Sequence, residues 1–428
     1  MKRGSPRLPR LFRDIGQTLT GRIAASLLRL AMTVLLARVL TPIQYGLVAL
    51  LLNGGLLLSS VLEMGLGAAF IERESGTSEA PLVRERFVQL LRARFWLWAG
   101  FILVASLVLI FPVEAKTLVL AVVVFGTGQN LCVSFQILYQ VRQDFGRYAQ
   151  ISVLFALAQV VWSALLLGVY KAFALPFDAF FWGMAVLGWA PVLVLSKSTG
   201  VALREFAKKN WSGDFAYLRG LFRFGKWVGL TTVATQTFSR YAVILLGAVE
   251  AVAEAGRYDI AMTVGRSVNN IVISTTAVLF PRFAQQKNAE DMRRSVGGVF
   301  KVAGLTVVAG LFAYYLAGRW LVLVLFGENY RASMTYLDIL MPGLLLPILL
   351  EPIIGVVTFS MSLPKVVFAI RMFKLVLFVA LGTAVLRRFG VTGVAGFQTL
   401  LAIGETAAFL LFVLFWLGAR GEQRGTTV

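Results

Sequence analysis

Residues 46–70 read GLVALLLNGGLLLSSVLEMGLGAAF, 25 residues with one ionisable side chain, Glu63. As a helix this stretch extends about 37 Å, enough to cross the roughly 30 Å hydrocarbon core of a bilayer. Similar stretches recur along the chain, at 16–37, 46–70, 95–112, 117–139, 149–170, 177–196, 226–249, 258–280, 302–326, 336–360, 366–386 and 391–418. Of the 428 residues, 58% are hydrophobic and 14% are charged, against about 25% charged in an ordinary soluble domain. Mean hydropathy is +0.79. There are too few polar side chains to clothe a soluble surface, so lipid must face much of the chain. The predicted fold is an all-α integral membrane protein with about 12 transmembrane helices.

The charges orient these spans. A net charge of +20 would suggest nucleic acid in a soluble protein. In a membrane protein it follows from Lys- and Arg-rich cytoplasmic loops, and no nucleic-acid partner is expected. With the N-terminus inside, and with Lys226, Arg319, Arg371 and Lys374 counted with the loops that adjoin their spans, 29 of the 41 Lys and Arg fall in cytoplasmic segments and eight fall outside. Four remain within spans: Arg22, Arg29, Arg240 and Arg266. This bias predicts cytoplasmic termini and an even number of spans. The basic opening MKRGSPRLPRLFRD precedes a long segment with no small-residue cleavage site, so the first helix is expected to stay as an anchor rather than to be removed as a signal peptide.

The longest polar insert, 197–225, divides the spans into two sets of six. The predicted organisation is a basic cytoplasmic N-terminus (1–15), an N-terminal six-helix bundle (16–196), a cytoplasmic linker (197–225), a C-terminal six-helix bundle (226–418) and a cytoplasmic tail (419–428). The two sets echo each other. The first has Gly16, Arg29 and then Tyr45-Gly46; the second has Gly225, Arg240 and then Gly256-Arg257-Tyr258, with glycine spacings of 30 and 31 residues. Because six is even, both sets start on the cytoplasmic side. The expected relation is a pseudo-two-fold axis along the membrane normal, with two bundles facing a central cleft.

The residue inventory restricts the chemistry. There is no His and a single Cys, Cys132, which reads as a packing residue. Intrachain disulfides are excluded, and zinc, other metal or haem sites and a bound cofactor are not expected. Outer loops of about 5–10 residues carry only isolated acids: Glu114, Asp178, Glu250, Glu254 and Glu328. No phosphate-binding glycine loop and no Gly-x-Ser-x-Gly nucleophile motif is present. The expectation is a protein that is not an enzyme.

The informative residues are the ionisable groups within spans. A mid-membrane Arg costs about 2.5–3.5 kcal/mol on insertion scales and usually faces a water-filled cavity or a partner. Arg22 and Arg29 are seven apart and share one helix face. Arg240 and Arg266 occupy spans seven and eight, and Asn269 and Asn270 follow Arg266 within a turn. Together Arg22, Arg29, Arg240, Arg266 and Asn269 form a candidate site for a phosphate or pyrophosphate, because the guanidinium fork donates two hydrogen bonds and stays charged. Glu63 and Asp259 are candidate counter-ions or coupling groups. The alternative is a set of internal salt bridges, such as Arg29 with Glu63, or arginines snorkelling toward headgroups. Glu351, before Pro352, marks a possible helix break, and Glu405 reads as buried packing. Phe95-Trp96-Leu97-Trp98, Phe180-Phe181-Trp182 and Phe415-Trp416 read as interfacial belts. Lys208-Lys209 with Arg204, Arg219 and Arg223 read as contacts to anionic headgroups.

One stretch carries a family resemblance. Leu36-Ala37-Arg38-Val39-Leu40-Thr41-Pro42, continuing through Gln44-Tyr45-Gly46-Leu47-Val48-Ala49, resembles the first hairpin of polysaccharide transporters, the O-antigen and exopolysaccharide flippases of the multidrug/oligosaccharidyl-lipid/polysaccharide exporter superfamily. Glu63 to Arg73, Phe135-Gln136-Ile137-Leu138 before Arg147-Tyr148, Leu279-Phe280-Pro281-Arg282 and Leu325-Phe326-Gly327-Glu328-Asn329-Tyr330 follow in the expected order. The resemblance implies two six-helix bundles that alternate between inward and outward openings in a bacterial inner membrane. It implies a cargo of undecaprenyl-pyrophosphate-linked oligosaccharide, with cavity arginines on its anionic part. Membrane lipids, a polysaccharide polymerase and glycosyltransferases are the implied partners. A lipid II flippase, a multidrug/cation antiporter and a non-transporting component of a polysaccharide-synthesis complex are the alternative readings. An antiporter for cationic drugs should not line its cleft with four cations.

Overall fold

Thr41 and Pro42 show how the sequence punctuates its spans. In the computed structural model the first helix, α1 (Leu8–Val39), ends just before them and α2 (Pro42–Glu63) begins at Pro42. Pro at the first helical position gives up no hydrogen bond. The Thr41 side chain accepts from the Gln44 N–H, and the Gln44 side chain reaches back to the Thr41 N–H at 3.1 Å, closing a capping box. The structure describes residues 8–74, 80–108, 116–189, 211–277, 301, 303–355, 357 and 363–425. They are almost wholly helical, with no strand among the described residues.

Two compact units divide the chain, Met1–Gly256 and Arg257–Val428. Unit 1 continues with α3 (Leu66–Glu74), α4 (Ala80–Val108), α5 (Lys116–Val141), α6 (Phe145–Ala172), α7 (Phe177–Val186) and α8 (Trp211–Val249). The next helix, α9 (Val252–Ala277), contributes its first turn to unit 1 and the rest to unit 2. Residues 211–225, read from sequence as part of the linker, are helical and continuous with the seventh span. The rest of that linker, residues 197–210, and the basic stretch from Pro281 lie outside the described residues, as does the Leu279-Phe280-Pro281-Arg282 motif.

Within unit 1, α1 packs along α6, α2 lies against α5 and α8, and α3 lies against α5 and α8. In lipid, apolar burial adds little to helix association, so close packing of small residues matters more. Gly21 on α1 meets Ala149 on α6, where an added Cβ would lie 2.6 Å from the alanine methyl. Gly65, at φ 75°, separates α2 from α3, and a Cβ there would sit 2.7 Å from the Gly229 nitrogen on α8. A side chain at 65 would be strained by both backbone angle and contact. A buried cluster fills the space between α2, α3, α4 and α5, with the Phe87 ring tilted against Phe70 at 6.0 Å and against Phe135 at 5.9 Å between centroids.

Unit 2 contains a helix from residue 303, a π-helical turn Tyr314–Gly318, then α10 (Arg319–Phe326), α11 (Arg331–Leu345), α12 (Pro347–Gly355) and α13 (Pro364–Gly425). The break expected at Glu351-Pro352 falls earlier, at Leu346, because Pro347 has no N–H to continue the ladder of α11. The 62 residues of α13 are two arms joined at Gly390, which has φ 66° and ψ −165°. They hold the expected spans eleven and twelve. The arms pack on α11 and α12.

Six described helices, or seven if one bent pair counts as a span, are long and apolar enough to cross a membrane. Helices α4, α8 and α9 have 29, 39 and 26 residues, also long enough to cross, but they carry charged and polar side chains along their length. Large apolar side chains lie open on outward faces, among them Leu154 and Leu165 on α6, Phe312 and Val324, and Leu400 and Leu411 on α13. Such surface is stable only against lipid. The chain is a multi-pass, all-α membrane protein.

Candidate functional site: charged side chains within the helices

Helix α1 has two unlike faces. Its small residues face α6, and a groove of about 840 Å³ between the two helices is lined by Gly16, Gln17, Thr20, Gly21, Ala24 and Gln150 among others. At 3.6 residues per turn, Arg22 and Arg29 lie roughly 150–170° round the helix from the centre of that face and about 10 Å apart along it. Both are exposed. Neither guanidinium has a hydrogen-bond or ion-pair partner among the described residues. Two charges that face away from the packed side of their helix need water, a lipid headgroup or another anion beside them.

Arg240 on α8 is held differently. Its Nη1 donates to Asn53 Oδ1 on α2 at 3.2 Å, and its Nε donates to Gln236 Oε1 at 3.3 Å. Asn53 is oriented by its own donation to the Ala49 carbonyl at 2.9 Å. Arg240 is therefore fixed by two amides, each with its geometry set by the helix that carries it. In unit 2, Arg266 lies two turns beyond Asp259 on one face of α9, within electrostatic reach of Asp259 and of Tyr258. The Tyr258 hydroxyl donates to Gln398 Oε1 on α13 at 2.6 Å. Asn269 is helical in α9, but its side chain lies outside the described residues.

Glu63 does not pair with Arg29. Its carboxylate ends α2 and caps α3, accepting from Gly65 N at 2.8 Å and Gly67 N at 2.7 Å. Arg94 of α4 approaches it to 3.5 Å and also donates to Ser134 on α5. Arg94 is fully buried. Ser134 donates to the Asn130 carbonyl, and the Asn130 side chain joins Trp98 to the Ser59 carbonyl. Four helices thus meet at one polar cluster. Sequence reasoning missed Arg94, counting it in the cytoplasmic segment 71–94; the available trace was the set of polar residues Thr127, Gln129, Asn130 and Ser134 within two turns of one predicted span.

A second cluster lies where α3, α4 and α8 meet, outside the predicted spans. The buried Glu74 carboxylate receives Arg86 Nη1 at 2.8 Å to each oxygen and the Tyr217 hydroxyl at 3.0 Å. Arg73 stacks over the Tyr217 ring at 5.0 Å. Hydrogen bonding to Glu74 holds the Arg86 guanidinium more firmly charged than usual. Burial, then the Glu74 charge, pushes the Tyr217 phenol above its ordinary value.

The fold and these charges define a multi-pass, all-α membrane protein with cationic side chains inside its helices. Residues 35–335 match the family described as "Polysaccharide biosynthesis protein", and the chain belongs to that family. Comparison with curated proteins gives no significant match. Among solved structures, the chain is similar to an inward-facing multidrug resistance MATE family transporter of the MOP superfamily, with TM-score 0.62, 14% identity and coverage of 93% of this chain and 96% of that one. The outward-facing form of such a transporter gives TM-score 0.62 and 14% identity, covering 98% and 100%. A MOP superfamily transporter from Pyrococcus furiosus, described as having reversed binding-pocket polarity, gives TM-score 0.56 and 13% identity over 95% of each chain. At these identities the likeness establishes the fold.

Proposed function

We propose that this protein is a flippase for an undecaprenyl-pyrophosphate-linked oligosaccharide, an O-antigen or exopolysaccharide repeat unit. It moves its cargo between the leaflets of a bacterial inner membrane by alternating access, with both termini cytoplasmic and no bond-making step. Polysaccharide polymerase and glycosyltransferases are the enzymes that consume and supply such a cargo. Membership of a polysaccharide biosynthesis family and a transporter fold support the class. The observation that carries the substrate is the open face of α1, where the Arg22 and Arg29 guanidiniums make no hydrogen bond or ion pair among the described residues, Arg29 lying within electrostatic reach of Tyr148 on α6. A pyrophosphate offers two adjacent anionic groups to such a face, and each charge-assisted bond is worth about 1.5–3 kcal/mol. Arg240 in unit 1 and Arg266 in unit 2 are further candidates for anion binding, with Asp259 as a counter-ion or coupling group.

A cation antiporter would need anionic groups where this chain places arginines, so drug export is the weaker reading. Reconstitution tests the choice. Proteoliposomes holding the protein should carry a labelled prenyl-pyrophosphate oligosaccharide to the opposite leaflet and should not accumulate a lipophilic cation. Cation accumulation without glycan movement would overturn the proposal.

A further inference from the structure

Unit 2 contains a charge cluster that is separate from the arginines above. Glu405, on the second arm of α13, is 7% exposed and accepts from Arg371 Nε at 3.2 Å and from Lys374 Nζ, both on the first arm. Arg371 Nη2 extends to Glu351 Oε1 on α12, also at 3.2 Å. The side chain of Arg371 is 12% exposed and that of Glu351 is 45% exposed. Glu351 has no other hydrogen bond or ion pair among the described residues.

The depth of the cluster follows from the helix rise. Lys374 precedes the Gly390 kink by 16 residues and Glu405 follows it by 15, so both lie about 22–24 Å from that turn. With the Gly390 turn on the outer side, as the charge bias predicts, this places them toward the cytoplasmic boundary of a core about 30 Å thick. Lipid phosphates lie just beyond that boundary.

The four side chains divide into a tight part and a loose part. Glu405 is committed to two cations and neutralises one. The remaining positive charge is met by Glu351, through one contact, from the solvent side. A carboxylate on an arginine fork occupies the place a phosphate would take, because both present paired oxygens to the same edge. We propose that Arg371, backed by Lys374, is a phosphate-binding site at the cytoplasmic leaflet and that Glu351 is its displaceable cover. The ligand is a phosphate or pyrophosphate ester that replaces the Glu351 carboxylate. Its identification as the lipid-linked cargo rests on the function proposed above; phosphate binding does not.

The test uses the purified full-length chain in detergent, titrated with inorganic pyrophosphate, with a short-chain prenyl pyrophosphate, or with phosphatidylglycerol micelles, and followed by calorimetry. Glu351→Gln removes the competitor and should tighten pyrophosphate binding about tenfold. Glu351→Ala should do the same, which guards against an effect peculiar to glutamine. Adding Arg371→Lys, which keeps a charge for Glu405 but not the fork, should abolish the gain. A prenyl pyrophosphate that binds more tightly than inorganic pyrophosphate identifies a lipid-borne ligand; equal affinity identifies a soluble one; preference for phosphatidylglycerol identifies bulk headgroups. If Glu351→Gln and Glu351→Ala leave affinity for all three probes unchanged or weaker, Glu351 is a structural member of an ion network and the proposal is overturned. Failure of glycan flipping in proteoliposomes with this tightening intact would remove the cargo and leave the site.

Discussion

Arg29 and Arg94 occupy the same unit, and each lies in a helix of a membrane-spanning bundle, yet their surroundings are opposite. Arg94 is fully buried, paired with Glu63 and bonded to Ser134. Arg29 is exposed, with no hydrogen bond or ion pair to its guanidinium among the described residues, and only Tyr148 within electrostatic reach. The first arrangement holds α2, α3, α4 and α5 together and is closed off by burial. The second does nothing for the fold and keeps a cation at an open face. An intramembrane arginine therefore carries functional meaning only once its partners are known. The scaffold role belongs to the paired cluster, and the cargo role is assigned to the unpaired face.

That division can be broken most sharply at Arg94. Arg94→Ala leaves the Glu63 carboxylate without its cation and should cost about 3–5 kcal/mol, the usual penalty for halving a buried pair. Thermal denaturation in detergent should show a much lower midpoint or no folded protein. A variant that melts like the parent would mean the pair is not scaffold. Arg29→Ala should behave in the reverse way. Its melting should be unchanged, while glycan export falls roughly 10- to 100-fold, the equivalent of a charge-assisted bond worth about 1.5–3 kcal/mol.

Arg240 sharpens the contrast, since it is positioned by neutral amides. Asn53→Ala removes the Nη1 acceptor and should weaken cargo affinity several-fold, about 1 kcal/mol, less than loss of the arginine itself. Equal effects of Asn53→Ala and Arg240→Ala would mean that Arg240 serves only to join α2 and α8.

The smallest effect is expected at the cytoplasmic cluster. Tyr217→Phe removes one hydrogen bond to Glu74 and should lower stability by about 1 kcal/mol or less. The Tyr217 phenol is raised in the folded state, first by burial and then by Glu74. A raised group contributes fully below its unfolded value, near 10, and loses that contribution as pH rises through its higher folded value. The melting difference between the parent and Tyr217→Phe should therefore be flat from about pH 6 to pH 9 and shrink only at stronger alkalinity. A difference that grows with pH in that range would contradict the assignment.

Much of this was legible in sequence, for identifiable reasons. A run such as 46–70 has one reading in hydropathy, and Thr41-Pro42 with Gln44 marks its start chemically. Arg94 was not legible, because it stands one residue before an apolar run and α4 begins fourteen residues earlier, at Ala80. Hydropathy locates apolar stretches, not the depth of a continuous helix that enters with charges on it. Glu405 read as isolated packing because its partners are 34 and 31 residues away. Nearly equal distances of Lys374 and Glu405 from Gly390 were the available signal, visible only once 390 is known to be the turn between two antiparallel arms. Asp259 and Arg266, by contrast, share a helix face at seven-residue spacing, so their common face was readable from sequence, while their electrostatic reach across about 10 Å of axis was not.

The central claim is that α1 presents its arginines to an anionic cargo rather than to the protein. Flipping of a labelled prenyl-pyrophosphate oligosaccharide in proteoliposomes, measured side by side for the parent and for Arg22→Ala/Arg29→Ala at matched protein content, tests it most directly. The double variant should retain the parent's melting midpoint while its flipping rate falls at least tenfold. A double variant that melts normally and flips at the parental rate would contradict the account.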